Sequence, residues 1–246
     1  MISNKVFATL ITIGLSLGFL KAQNNKNKVD FSFRLAPTIS ISGVKDESRN
    51  WDFEKGAAKM KFNGGLSFDI NLQENVSFST GIWYTGKRSV MNISADTLSN
   101  PTGKEVIDYS LNYIEVPLLF KGYTNNLTDK MKLYLNIGGV FGFKVSETYV
   151  GDENQRPLQS YPDGENVSKK YAGFFDASLL TGAGVEFNIG TSNKVYLGLD
   201  YSLGLVNIIQ KDFISSLSRK GEIDIEKGTN YAVKNNYLAF VTGFKF

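Results

Sequence analysis

The chain has 246 residues, 27 basic and 24 acidic side chains, a formal net charge of +3, and neither His nor Cys. So even a balance argues against nucleic acid as a partner. The missing Cys rules out a disulfide framework or a lipidated N-terminal cysteine, and the missing His removes the usual general base or proton shuttle of a hydrolase.

Residues 1–22 read as a cleaved signal peptide: Lys5 supplies the positive start, Val6 to Leu20 the apolar run, and Ala22 the cleavage position. Its removal takes Lys5 and Lys21 away and lowers the net charge from +3 to +1. Residues 23–29 form a short polar leader, and residues 30–246 a single domain. No later stretch approaches the roughly 18 consecutive apolar residues of a spanning helix. A hydropathy scan built for helices misses strands that are apolar only at every second position.

Such alternation recurs eight times, over approximately 30–43, 61–72, 76–91, 109–123, 132–149, 172–190, 194–209 and 236–246. In the fifth segment Leu133, Leu135, Ile137, Phe141 and Phe143 face one way, while Tyr134, Asn136, Gly138, Val140 and Lys144 face the other. In the seventh, Val195, Leu197, Leu199, Leu203 and Leu205 oppose Tyr196, Gly198, Asp200 and Ser202. Each segment meets the roughly 9–11 residues that a tilted strand needs to cross hydrocarbon. Short connectors (73–75, 124–131, 191–193) alternate with long polar ones (44–60, 92–108, 150–171, 210–235). Together these features predict an all-β fold, a single eight-stranded antiparallel up-and-down transmembrane β-barrel with a polar, filled lumen. Both termini then lie on the periplasmic side of an outer membrane.

Volume and charge decide which face is inside. One parity carries Gly65, Gly81, Gly138, Gly142, Gly182, Gly184, Gly198, Gly204 and Gly243, suited to the crowded interior of an eight-stranded barrel. The same parity carries Arg34, Asp69, Glu115, Lys121, Lys144, Asp176, Glu186 and Asp200, which can neutralise one another as a lumenal charge network of structural purpose. Facing lipid, a basic residue near the midplane costs about 2–4 kcal/mol. The alternative is a secreted soluble barrel of lipocalin type, with the polarity reversed and the apolar face around a ligand. Strand length, connector pattern and the Phe-terminated last segment favour the membrane barrel.

The segment Asn112-Tyr-Ile-Glu-Val-Pro-Leu-Leu-Phe-Lys-Gly-Tyr123 resembles the YxEhPLLhK strand (h, apolar) of the PorT-like outer-membrane β-barrel family, also described as a porin family. Ala183-Gly-Val-Glu186, Tyr201 to Ile208 and Gly243-Phe-Lys-Phe246 fit the same resemblance. It implies a Gram-negative outer membrane of the group that uses type IX secretion, one family member being a component of that machinery. Proline cannot donate to a ladder and a closed barrel has no edge, so Pro117, and likewise Pro37, predicts a bulge or a locally missing hydrogen bond.

The residues suggest no enzyme and no cofactor. Asp152-Glu153 and Asp163-Gly-Glu165 lack the regular spacing of a calcium loop and read as solvated charge, so no metal site is expected. Asp96-Thr97-Leu98 matches a short O-glycosylation pattern of this bacterial group, making Thr97 a candidate. Tyr84, Tyr109, Tyr123 and Tyr149 near strand ends are candidates for interfacial girdles. The last segment places Leu238, Phe240, Phe244 and Phe246 toward lipid as an insertion signal, turns Lys245 inward near the periplasmic rim, and pairs with the first strand around Phe31–Ile41. The expected partners are outer-membrane lipid and other outer-membrane or periplasmic proteins. The expected role is structural or accessory within a larger assembly, with a small gated pore or a surface-loop binding protein as alternatives.

Overall fold

A computed structural model describes residues 29–46, 51–95, 104–128, 130–149, 172–189, 193–208 and 231–246. The expected signal peptide, most of the expected leader, Thr97 and both acidic loop pieces lie outside the described residues. The described residues form nine strands: β1 (Val29–Asp46), β2 (Trp51–Lys55), β3 (Lys59–Gln73), β4 (Val76–Ala95), β5 (Lys104–Tyr123), β6 (Met131–Tyr149), β7 (Phe175–Ile189), β8 (Asn193–Gly204) and β9 (Tyr231–Lys245). Eight of them close an antiparallel barrel in which each pairs with its sequence neighbours, and β9 returns to β1. Phe246 and Phe31 exchange backbone hydrogen bonds of 2.9 and 3.1 Å where that seam begins.

The register sets the barrel's tilt. Paired residues run from Asp30 through Asp69, Ser79, Leu119, Gly138, Leu180, Ser202 and Tyr237 back to β1 at Ser40, ten residues further on. Ten residues along a strand are roughly 33 Å, against roughly 38 Å around eight strands, so the strands incline by about 40°. Short connectors join β3–β4, β5–β6 and β7–β8 at one end, and the long ones lie at the other.

The ninth strand was not anticipated. β2 falls inside the first long connector and pairs with the far end of β4, Trp51 opposite Ala95 and Lys55 opposite Met91. It continues the line of β3 after an interruption at Gly56–Ala58, whose Gly56 amide still bonds to the Val90 carbonyl (2.9 Å). Strands also outrun the sequence pattern: β1 reaches Asp46, β4 reaches Ala95, and β5 already begins at Lys104. Backbone pairing alone sustains these extensions, and alternation has no cause to persist beyond lipid. The sixth and seventh segments are shorter than expected, β7 starting at Phe175 and β8 ending at Gly204.

Both prolines interrupt one ladder and leave the register unchanged. Between β4 and β5, pairing lapses from Thr80/Leu118 to Trp83/Glu115, opposite Pro117. Between β1 and β9 it lapses from Leu35/Thr242 to Thr38/Ala239, beside Pro37. On its other side each proline sits in an unbroken ladder, Pro117 with Val140 and Pro37 with Phe62. The carbonyl of proline still accepts a bond while its nitrogen donates none. The bulge in this region is elsewhere, at Asn112/Tyr113 against β6, where Val145 is the extra residue.

The outward parity is apolar and exposed, with Phe33, Ile82, Phe120, Leu135, Ile137, Leu199 and Phe240 all among the exposed side chains. The inward parity is buried and largely polar. That polarity is opposite to the lipocalin alternative. Phe240, Phe244 and Phe246 point outward, Leu238 lies half-buried on the same parity, and Lys245 is buried inside. Phe33 packs on Phe246 at the closing seam (5.7 Å between centroids), and Phe31 packs on Phe68 across the neighbouring β1–β3 pair (4.9 Å). The girdle expectation fails for two tyrosines. Tyr84 faces outward, but Tyr109 is buried and Tyr123 turns into the lumen to contact Asp69 and Tyr134. Both occupy the inward parity of β5, and the pleat overrides their nearness to a strand end.

Candidate functional site: the braced lumen

The interior is built from inward side chains of all eight barrel strands, and glycine decides where the large ones fit. A Cβ added to Gly184 or Gly198 would strike the Tyr134 ring or hydroxyl, and one added to Gly243 would strike Tyr196. Bare backbone on β7, β8 and β9 thus makes room for two tyrosines crossing from β6 and β8. They pack with Ala36, Tyr237, Ala239 and Val241 in one apolar cluster. Farther from the short-turn end, Trp83, Leu119, Val140 and Leu180 form a second one.

Charged side chains occupy the levels around these clusters. Nearest the short turns, Lys245 bridges Asp69 (2.8 Å) and Glu186 (2.7 Å), while Lys121 also reaches Asp69 (3.0 Å). Lys194 joins Glu186 to Asp30 at 3.2 and 3.6 Å. Lys245 donates to the Tyr123 hydroxyl as well (3.1 Å). The ammonium of Lys121 lies 5.9 and 5.7 Å from the Tyr134 and Tyr196 ring centroids, a cation set against the aromatic rings that attract it.

A second, continuous network crosses the middle and upper lumen. Asn136 donates to Asp200 (3.2 Å), which pairs with Arg34 (2.8 Å). Arg34 donates from Nε to Asn63 (2.9 Å) and lays its guanidinium 4.2 Å from the Trp83 ring centroid. Asn63 donates to Thr85, whose hydroxyl donates to Glu115 (2.6 Å). Lys87 then links Glu115 (2.7 Å) to Asp176 (2.9 Å), and Asn235 donates to Asp176 (3.2 Å). Trp83 donates to Ser67 (2.8 Å), fixing the ring that carries Arg34.

Most of these charges are shut away from solvent: Asp69, Glu115 and Asp200 are 0% exposed, Asp176 1% and Lys87 2%, while Lys194 is partly exposed. An isolated charge so placed would cost several kcal/mol, and pairing with added hydrogen bonds offsets most of that. Chemically the arrangement is a set of struts. Among the described residues, Arg34, Lys87, Lys121 and Lys245 are each engaged by a carboxylate and an aromatic ring.

Seven of the eight residues proposed for the network lie in these two clusters: Arg34, Asp69, Glu115, Lys121, Asp176, Glu186 and Asp200. Lys144 does not join them. It sits beside the bulge at the long-connector end, bonding to Glu147 and to the Ala172 carbonyl. The sequence reading passed over Lys87, the member that joins Glu115 to Asp176, although it shares the inward parity of Trp83 and Thr85. It also left out Lys194, whose ammonium lies at the short-turn mouth.

Among curated proteins, none matches the sequence. Among solved structures, the chain is similar to the outer membrane protein OprG of Pseudomonas aeruginosa. They share 14% identity over 88% of this chain and 95% of that one, with a TM-score of 0.50. It is also similar to Neisserial surface protein A, at 10% identity over 90% and 98% of the two chains with a TM-score of 0.48. A third similar structure is Ail, the attachment invasion locus protein of Yersinia pestis, at 15% identity over 89% and 100% with a TM-score of 0.39. At 14% identity the likeness to OprG speaks for the fold alone. The family profile described as outer membrane protein beta-barrel domain matches residues 21–210. With that match over most of its length and a closed barrel that turns its apolar face outward, the chain belongs to the family of outer-membrane β-barrel domain proteins.

Proposed function

We propose that this barrel is a non-enzymatic structural or accessory subunit of a larger outer-membrane assembly, as the one PorT-like family member that belongs to a secretion machinery is. The filled, ion-braced lumen carries the reading: it stiffens the barrel, and among the described residues its inward carboxylates are taken up in ion pairs. The absence of His from the sequence supports it. In this reading the short turns and both termini are periplasmic, and the long connectors face outward. Affinity purification of the full-length protein from native outer membrane in mild detergent tests it. Stoichiometric co-purification of other outer-membrane or periplasmic proteins is expected, and recovery as a lone monomer would overturn it.

A second reading has its own observation. The strands that outrun the apolar belt, β1, β4, β5 and the added β2, make a firm base beneath the long connectors, as a surface-binding protein requires. Replacing residues 96–103, the connector between β4 and β5, by a short polar linker should then abolish partner capture while the barrel still folds.

A further inference from the structure

The long-connector end of β6 carries an ion pair that stands apart from the two lumenal clusters. On a regular strand Lys144 and Glu147 would face opposite ways, but the extra residue at Val145 puts both on the inward face. They pair at 2.5 Å, and their side chains are only 8% and 5% exposed although they stand at the rim. Both also hold the backbone of one residue on another element. Lys144 donates to the Ala172 carbonyl, and Glu147 accepts from the Ala172 amide at 3.2 Å. The β6–β7 ladder ends at Phe143 and Phe175, with one further bond from the Lys144 amide to the Phe174 carbonyl (2.7 Å). Beyond that point the ion pair takes over the chain entering β7. From there the tie continues to the chain leaving β8. The Gly173 amide donates to the Ile208 carbonyl (2.6 Å), the Ile208 amide to the Val233 carbonyl of β9 (2.9 Å), and the Val233 amide to the Asn207 side chain (3.0 Å). Ala172, Ile208 and Val233 are all buried. Leu111 of β5, also buried, lies opposite Glu147 on one side and opposite Lys87 on the other.

We propose that the Lys144–Glu147 pair is a latch: it holds Ala172, Gly173 and Ile208 as a strap at the long-connector mouth of the lumen, and its release opens a vestibule down to Leu111 and Lys87 while the barrel below stays closed. The bulge carries the argument. An extra residue at a barrel rim interrupts a ladder and re-aims a side chain, and here it aims a second charged group at the same backbone. A strap held by two side chains at one residue can let go without breaking any strand pairing. The braces deeper in the lumen are joined by contacts of their own, from Arg34 to Asp200 and from Lys87 to Glu115 and Asp176, so they survive the release.

The chain has no Cys, so a single introduced thiol reports on one depth. Full-length Leu111→Cys, refolded into nanodiscs, is treated with a small charged maleimide that does not enter lipid, and labelling is followed by mass spectrometry. Slow labelling is expected with the latch in place, and a rise in rate of an order of magnitude or more when Lys144→Met/Glu147→Leu is added. Ser202→Cys, deeper on β8, should label slowly in both backgrounds. Arg88→Met/Asp108→Leu removes a rim ion pair on the outward face and should leave Leu111→Cys slow. Lys144→Glu/Glu147→Lys keeps a pair but turns a carboxylate toward the Ala172 carbonyl, so labelling should be fast there too. Heat-modified gel mobility confirms that each variant is folded, and the reversed pair decides the matter where the neutral one fails to fold. Equal rates with and without the latch would overturn the proposal. So would fast labelling of Ser202→Cys once the latch is gone, since the barrel itself would then have loosened, or an equal rise from the Arg88/Asp108 variant.

Discussion

Lys87 holds Glu115 and Asp176, which have no other cationic partner among the described residues. Replacing it with Met leaves two buried carboxylates uncompensated, and breaking a buried pair in this way costs about 3–5 kcal/mol. Adding Glu115→Gln and Asp176→Asn removes the stranded charges, and most of the loss should return. Denaturant unfolding of the refolded protein in lipid vesicles measures both, and a triple variant no more stable than Lys87→Met would refute the pairing. The glycines permit an equally local comparison. A Cβ on Gly138 would run into the Leu118 carbonyl and the Leu119 backbone (2.8 Å), whereas one on Gly139 would meet only the Phe141 ring edge at 3.4 Å. Gly138→Ala should therefore lower folding yield severely while Gly139→Ala folds like wild type, as scored by the heat-sensitive gel shift. Parity made most of the buried charges legible, because a two-residue period assigns each side chain to one face. It could not show which charges meet, since that depends on a stagger of ten residues around the barrel. Lys144 shows the limit: the extra residue at Val145 brings Glu147 onto its face, opposite Leu111, and Lys144 bonds there instead of joining the two clusters.

For the strands, the apolar pattern fixed their lipid-crossing parts and was silent beyond them. β2 was hidden because its pairing to β4 is a backbone matter, and its five residues sit between a charged stretch and Gly56. The closing seam was legible, because the last segment alternates as strictly as the first. Phe246 adds both hydrogen bonds with Phe31 and a ring contact with Phe33. Its deletion should slow or reduce assembly into vesicles, with the folded fraction that does form retaining its other β1–β9 pairs. Unchanged folding kinetics would contradict that role. The belt makes a second prediction. Leu199 lies in the middle of β8 and Leu72 near the short-turn end of β3, both exposed outward. Leu199→Arg should cost about 2–4 kcal/mol in a bilayer and Leu72→Arg about 0–1 kcal/mol, the depth dependence expected of hydrocarbon. Equal costs would mean that the face does not contact lipid.

Over the whole molecule the question is whether so braced a barrel conducts. The lumen is sealed at more than one level, by Tyr134 and Tyr196 above the short-turn charges and by Trp83, Leu119, Val140 and Leu180 farther in. Beyond these, Leu111 and Val233 are both 0% exposed, and Ile208 is 1% exposed. Tyr134→Ala/Tyr196→Ala would hollow out the first level, because the glycines beneath the two rings leave nothing else to fill it. The inner level and the Arg34–Asp200 strut would remain. Planar-bilayer recordings should thus show no conductance steps from wild type or from that double variant. Adding Trp83→Ala removes both the inner seal and the ring on which Arg34 rests, and steps should appear only there. Steps from wild type would make the network a gate instead of a brace, and would move the small-pore reading ahead of the scaffold.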